Sequence, residues 1–220
     1  MGMQPEIIRV AGHVAHPEHP ERLPEILAEQ VDDVLETGKD EFVQAVIRMP
    51  FLLALGDYVY RAEGEESCTR QLLDVYERHG TSVVGVKPIP EAHLGRFGCV
   101  GGRWVEEGSL LEVAQFIEKP DVETARTELR VEGLPAGEYL GLFGQYVLAP
   151  AVFDLLSDGA SARRKDGAEL QLTPSLDRLR IQEGFLAYRV RGASYDIGVP
   201  ESYRESVWLF GERRRDPPGR

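Results

Sequence analysis

Apolar residues recur along this chain with two periods, and the period changes at glycine and proline. Residues 24–40, PEILAEQVDDVLETGKD, put Ile26, Leu27, Val31, Val34 and Leu35 on one face of a helix that begins at Pro24 and stops at Gly38. SCTRQLLDVYERHG predicts a second amphipathic helix with Ser67 as N-cap and Gly80 at its C-terminus. DVETARTELRV predicts a third, with Asp121 near its start, and AVFDLLSD and LTPSLDRLRIQEG are helical segments around the polar loop SARRKDGAE. Short apolar runs bounded by turn residues predict strands: IIRVAG, EFVQAVIRMP, FLLALGDYVY, TSVVGVKPIP, GEYLGLFGQYVLAP and FLAYRVRG. From Phe97 to Lys119, β-like runs alternate with glycine turns, the pattern of an antiparallel or mixed part of a sheet. YDIGVPESYRESVWLF reads as a turn entering a helix. Strands and helices alternate throughout, so the expected class is α/β with a largely parallel sheet.

FLLALGDYVY has the apolar make-up of a buried central strand, yet it carries Asp57. A carboxylate at the end of such a strand is a turn residue or has chemistry to perform, and Gly56 before it lets the backbone approach a neighbour closely. Ligands of open α/β sheets gather beyond the carboxyl ends of strands, which is where Asp57 is expected. The 220 residues suit one domain and carry 25 Lys+Arg against 37 Asp+Glu, a formal charge of -12. That balance argues against non-specific binding to nucleic acid or to anionic membrane, so any phosphate ligand must be met by a few placed cations or a metal ion. Cys68 and Cys99 give neither a disulfide framework nor a zinc-ligand spacing. His13, His16 and His19 are spaced HxxHxxH, but Pro17 and Pro20 break the helix that would align them. No apolar run approaches the roughly 18 residues that span a bilayer, and the expectation is a cytoplasmic protein.

LGDYVY, RFGCV, FIEKP, GQYVL, ELQLTPSLDRL and YDIGVPESY follow one another over about residues 51 to 210. In that order they resemble the motifs of the sugar-1-phosphate nucleotidyltransferase family, most closely its branch acting on UTP and glucose-1-phosphate. The resemblance implies a Rossmann-like three-layer α/β fold with a mixed, mostly parallel sheet. It also implies transfer of UMP from UTP to glucose-1-phosphate, giving UDP-glucose and pyrophosphate. Asp57 and Asp196 would hold a catalytic Mg²⁺, an ion that takes hard oxygen ligands and usually only one or two carboxylates. Glu118 and Lys119 would bind the sugar hydroxyls and the sugar phosphate, Lys119 as a point charge on the nucleophile. Gly98, with Gly56, would let the backbone pack against substrate. Relatives of this kind commonly form dimers or tetramers, which implies a homo-oligomer.

The family's Gly-rich nucleotide loop has the form AAGxGTRxxPxTxxxPK, and VAGHVAHPEHPERLP takes its place here, with Val14 for the second glycine and His16 for the arginine. Only RMP separates EFVQAVI from FLLALGD, where relatives carry dozens of residues. The resemblance therefore implies an N-terminally abbreviated member: residues 1–50 a remnant of the nucleotide-binding part, 51–210 the sugar-phosphate and metal-binding core, and 211–220 a flexible tail. Two functions follow, the uridylyl transfer above and, alternatively, a non-catalytic relative that binds sugar phosphate or pairs with a full-length homologue.

Overall fold

A computed structural model of the chain describes residues 48–163 and 172–212. The helix expected at 24–38, the strands at 7–12 and 41–47, the histidine cluster and most of the loop around 164–171 lie outside the described residues. Eight strands and five helices are described: β1 (Phe51–Ala54), β2 (Tyr58–Ala62), α1 (Cys68–His79), β3 (Val83–Pro90), β4 (Cys99–Glu106), β5 (Leu110–Ile117), α2 (Val122–Glu128), β6 (Glu138–Leu148), α3 (Ala151–Arg163), α4 (Leu172–Glu183), β7 (Leu186–Arg189), β8 (Gly192–Asp196) and α5 (Pro200–Glu212). A 3-10 segment, Glu91–Arg96, joins β3 to β4.

α1 forms where the apolar spacing demands it. Cys68, Leu72 and Val75 are buried on one face together with Gln71, and each fully buried aliphatic side chain contributes about 1.5–3 kcal/mol. Ser67 caps the helix by accepting from the Arg70 N–H at 3.1 Å. Gly80 ends it in the left-handed region, donating its N–H to the Tyr76 carbonyl at 2.8 Å. Asp121 likewise caps α2, accepting from the Thr124 N–H at 2.8 Å.

The main sheet has the order β1-β6-β3-β7-β5-β4. β6 is buried along nearly its whole length. Along one side it pairs with β3; along the other it pairs with β1 at residues 145–148 and with the start of β4 at Gly141 and Leu140. α1 covers one face, packing Leu72 and Val75 on Val83, Phe143 and Val147. On the other face α3 and α4 bring Val152, Leu155, Leu176 and Leu179 against Val84, Val86, Leu140 and Tyr146. The result is the three-layer α/β arrangement expected, with a mixed sheet.

Three sequence expectations are corrected. Among the described strands only β3 and β7 pair in parallel, the remaining pairs being antiparallel, so this part of the sheet is not mostly parallel. Only β4 and β5 pair across a hairpin-length turn, which forces their antiparallel direction; the other antiparallel pairs are made between strands distant in the chain. FLLALGDYVY is not one buried central strand. It breaks at Leu55–Asp57 into β1, which is only half-buried, and β2, which leaves the main sheet. The YDIG segment is not purely a turn, because Gly192–Asp196 forms β8 and pairs antiparallel with β2.

The β2–β8 ribbon is docked by β6. Gly144 has φ +93, and a Cβ there would lie 2.7 Å from the Tyr60 hydroxyl. The bare backbone instead lets Tyr60 donate to the Gly144 carbonyl at 2.7 Å, while the Leu55 N–H donates to the same carbonyl at 2.9 Å. The break after β1 is thus fixed from both sides, and the ribbon lies beside the end of the main sheet.

Candidate active site

β2 and β8 run in register with Tyr58 opposite Asp196, which puts Asp57 and Asp196 at the same end of the ribbon. The Ile197 N–H donates to the Asp57 carbonyl at 2.7 Å and locks the two chain ends together. Gly198 sits against both acids: a Cβ there would lie 3.3 Å from Asp57 Oδ2 and 3.4 Å from Asp196 Oδ1. Asp196 Oδ1 accepts from the Gly198 N–H at 2.8 Å and from the Ser202 hydroxyl at 3.0 Å. Ser206 donates to the Asp196 carbonyl at 2.6 Å, so the first turns of α5 orient this acid. Asp57 is held otherwise. Its Oδ1 is buried and has no hydrogen-bond partner. Burial pushes the Asp57 carboxyl above its ordinary value and the Asp196 charge adds to the push, against a backbone hydrogen bond that lowers it. Tyr58 is raised too, first by burial and then by both carboxylates.

A second corner forms around Gly98. The Leu142 N–H donates to the Gly98 carbonyl at 2.8 Å, extending the pairing of β4 with β6. A Cβ on Gly98 would meet Leu142 Cδ1 at 2.7 Å and Glu118 Oε2 at 2.8 Å, so any side chain here would push both of these tips aside. Thr173, buried at the start of α4, donates its hydroxyl to Glu118 Oε2 at 2.6 Å. Lys119 follows, exposed, with φ 45, the one non-glycine residue of positive φ among the described residues. Burial raises the pKa of the Tyr146 phenol most, and the charges of Glu118 and Asp57 add to it. Gly56 has open space around its Cα, with nothing within 4 Å of an added Cβ.

Two cations stand beside the acids. Arg96 places its guanidinium 4.0 Å from Asp196 Oδ2. Lys87, on β3, donates to the Ser194 hydroxyl at 2.7 Å and lies 4.8 Å over the Phe97 ring. Burial brings its ammonium down to about 8, with Arg96 lowering it further and Asp196 opposing.

The structure thus brings Asp57 to Asp196, and Gly98 to Glu118. Sequence reasoning did not single out Arg96, Lys87, Thr173, Ser202 or Ser206. Arg96, Thr173 and Ser202 stood inside quoted motifs, in RFGCV, ELQLTPSLDRL and YDIGVPESY, but nothing in a single sequence separates them from spacer residues. Among the described residues no group of three or more His, Cys, Asp or Glu is placed to hold a metal. A pair of carboxylates, one with a buried partnerless oxygen, suits an ion that completes its shell with water and phosphate oxygens. Thr173→Val should loosen this corner, since a hydrogen bond to a charged group is worth about 1.5–3 kcal/mol. We expect the melting temperature to fall by a few degrees; an unchanged melt would mean that Glu118 needs no such support.

The family described as Nucleotidyl transferase matches residues 27–208, and the chain belongs to it. The UTP–glucose-1-phosphate uridylyltransferase of Staphylococcus epidermidis is 36% identical over 149 residues, covering 68% of this chain and 46% of that protein. That of Staphylococcus haemolyticus is 36% identical over 151 residues with the same coverage. The chain spans about half the length of these curated relatives. A UDP-glucose pyrophosphorylase solved in complex with UDP-glucose superposes with TM-score 0.63 at 26% identity, over 78% of this chain and 60% of that one. A UTP-bound enzyme of this type from Acinetobacter baumannii shares the fold with TM-score 0.63 at 20% identity, over 90% and 59% of the two chains. These relatives are enzymes, which gives the non-catalytic reading no support. No helix among the described residues is long and apolar enough to cross a membrane.

Proposed function

We propose that residues 51–210 form the sugar-phosphate and metal-binding core of a uridylyltransferase that makes UDP-glucose and pyrophosphate from UTP and glucose-1-phosphate, with residues 1–50 serving the nucleotide. The convergence of Asp57 and Asp196 on Gly198, with one buried carboxylate oxygen unpartnered, carries this reading. The names of the relatives supply the substrates.

In this reading Asp57 and Asp196 hold Mg²⁺, which when bound neutralises phosphate charge and polarises the attacked phosphorus. Glu118, steadied by Thr173, accepts hydrogen bonds from sugar hydroxyls, and Gly98 leaves room for the ring. Lys119 holds the sugar phosphate. An anionic oxygen of that phosphate attacks the α-phosphorus of UTP in line. The new P–O bond forms as the bond to the β-phosphate oxygen breaks, and pyrophosphate leaves with the electron pair. The nucleophile is already ionised, so no general base is required, and catalysis rests on positioning and charge.

The test is to incubate the full chain with UTP, glucose-1-phosphate and Mg²⁺ and to follow UDP-glucose and pyrophosphate together. Equal amounts of both, absent with chelator, are expected. Product formed despite chelator, or pyrophosphate without UDP-glucose, would contradict the assignment. Parallel reactions with dTTP and with mannose-1-phosphate read out the base and the sugar.

A further inference from the structure

Arg96 and Lys87 have no part in the reaction as derived, yet both stand at the carboxylate pair. They differ in how they are held. Lys87 is pinned by the Ser194 hydroxyl and the Phe97 ring and is largely shielded, so it acts as a fixed charge. Arg96 closes the 3-10 segment two residues before Gly98, and its side chain is 57% exposed. Its contact with Asp196 is an ion pair at 4.0 Å, near the limit of such an interaction.

The oxygen it approaches matters. Asp196 Oδ1 is occupied by the Gly198 N–H and the Ser202 hydroxyl. Oδ2 is the oxygen left to an outside cation, and it is the one that Arg96 faces. A divalent ion bound between the two acids and the Arg96 guanidinium therefore compete for one carboxylate. Charge balance points the same way. The two carboxylates are offset by Arg96 and Lys87 while no metal is bound. A divalent ion leaves the group about two charges positive, which a phosphate monoester of about two negative charges restores to neutrality.

We propose that Arg96 balances Asp196 while the metal is absent and turns to the phosphate of the sugar-phosphate substrate once the metal arrives. Its position two residues before Gly98, at the corner that holds Glu118, selects the sugar phosphate over the triphosphate of the nucleotide. This rests on the proposed function, which supplies the ligand class.

The two roles predict effects of opposite sign, which a merely structural residue would not produce. Mn²⁺ is titrated calorimetrically into wild type, Arg96→Gln and Arg96→Lys, and glucose-1-phosphate and UTP are then titrated separately at saturating Mn²⁺. Arg96→Gln should bind Mn²⁺ about two- to fivefold tighter, because a competing surface ion pair is gone. It should bind glucose-1-phosphate about five- to tenfold more weakly, because a charge-assisted contact is lost, with UTP affinity unchanged. Arg96→Lys should lie between the two. Mn²⁺ affinity that stays level or falls in Arg96→Gln overturns the inference, as does unchanged glucose-1-phosphate binding or a loss confined to UTP. Wild type that binds neither Mn²⁺ nor glucose-1-phosphate overturns the proposed function along with it, a failure recognisable because it precedes any variant.

Discussion

Asp57→Asn should abolish divalent-metal binding and lower UDP-glucose formation at least about a thousandfold, while making the protein more stable at neutral pH. The loss follows from the site. Asp57 contributes one of two carboxylates, and the charge stabilisation that a bound metal lends a phosphoryl transfer is worth several kcal/mol. An amide in its place keeps the volume and removes the anion. The gain in stability follows from the linkage between protonation and folding. Burial first, and Asp196 second, raise the Asp57 pKa above its ordinary value of 3.8. The folded protein therefore binds this proton more tightly than the unfolded chain does, and folding is penalised as pH rises through the folded pKa. Below 3.8 the penalty is absent, and it grows as pH rises through the raised folded pKa. Asn carries no such penalty at any pH, so the variant should melt higher at pH 7, by an amount that solvent screening of this partly exposed group keeps small, and the advantage should vanish as pH falls below 4. Mn²⁺ should raise the melting temperature of wild type and not of the variant. Melts at pH 7 and pH 3.5, with and without Mn²⁺, check all of this. A variant that melts lower than wild type at pH 7 would mean that Asp57 is a structural acid with a partner, not a ligand kept unpaired for a cation.

The parts of this site that were legible in the sequence are those where one residue type has a single physical use. Ser67 and Gly80 bound α1 as caps, and Asp121 caps α2, because few side chains can do either. Asp57 was conspicuous as an acid in an apolar run. What was not legible depends on pairings made across the chain. No local signal says that Gly144 must admit Tyr60, and it is this contact that ends β1 and sends β2 into a separate ribbon. The same holds for Gly192–Asp196, too short and too polar to announce a strand, which becomes one because β2 lies beside it. Thr173 reaches Glu118 over 55 positions, and Arg96 reaches Asp196 only because the 3-10 segment turns it there. The order of motifs singled out the acids as candidates; the tertiary fold chose the residues that contact them.

Lys119 separates strain from charge, and its two substitutions should part company. At φ 45 the residue occupies the left-handed region without being glycine or asparagine. That costs about 1–2 kcal/mol, and such costs persist at places where geometry serves function. Lys119→Gly removes the steric cost but gains backbone freedom in the unfolded chain, worth about 0.5–1 kcal/mol in the other direction. The net expectation is a gain of about 0.5–1 kcal/mol, or about 1–4 °C in melting temperature. Lys119→Ala retains a Cβ, hence the strain, and should show no gain. Both variants lose the ammonium, and both should bind glucose-1-phosphate about ten- to a hundredfold more weakly, the range of one charge-assisted hydrogen bond. Turnover should fall as well, because in the proposed reaction the phosphate assigned to Lys119 is itself the nucleophile and a misplaced nucleophile slows the chemical step. Thermal melts beside calorimetric titrations give both readouts on the same samples. Stabilisation by glycine and not by alanine, with equal losses in sugar-phosphate binding, would mean that the backbone is held out of its preferred region in order to aim this one charge. Equal stability of the two variants would remove the strain from the account, and retained binding in Lys119→Ala would remove Lys119 from the site and leave Arg96 as the cation that meets the phosphate.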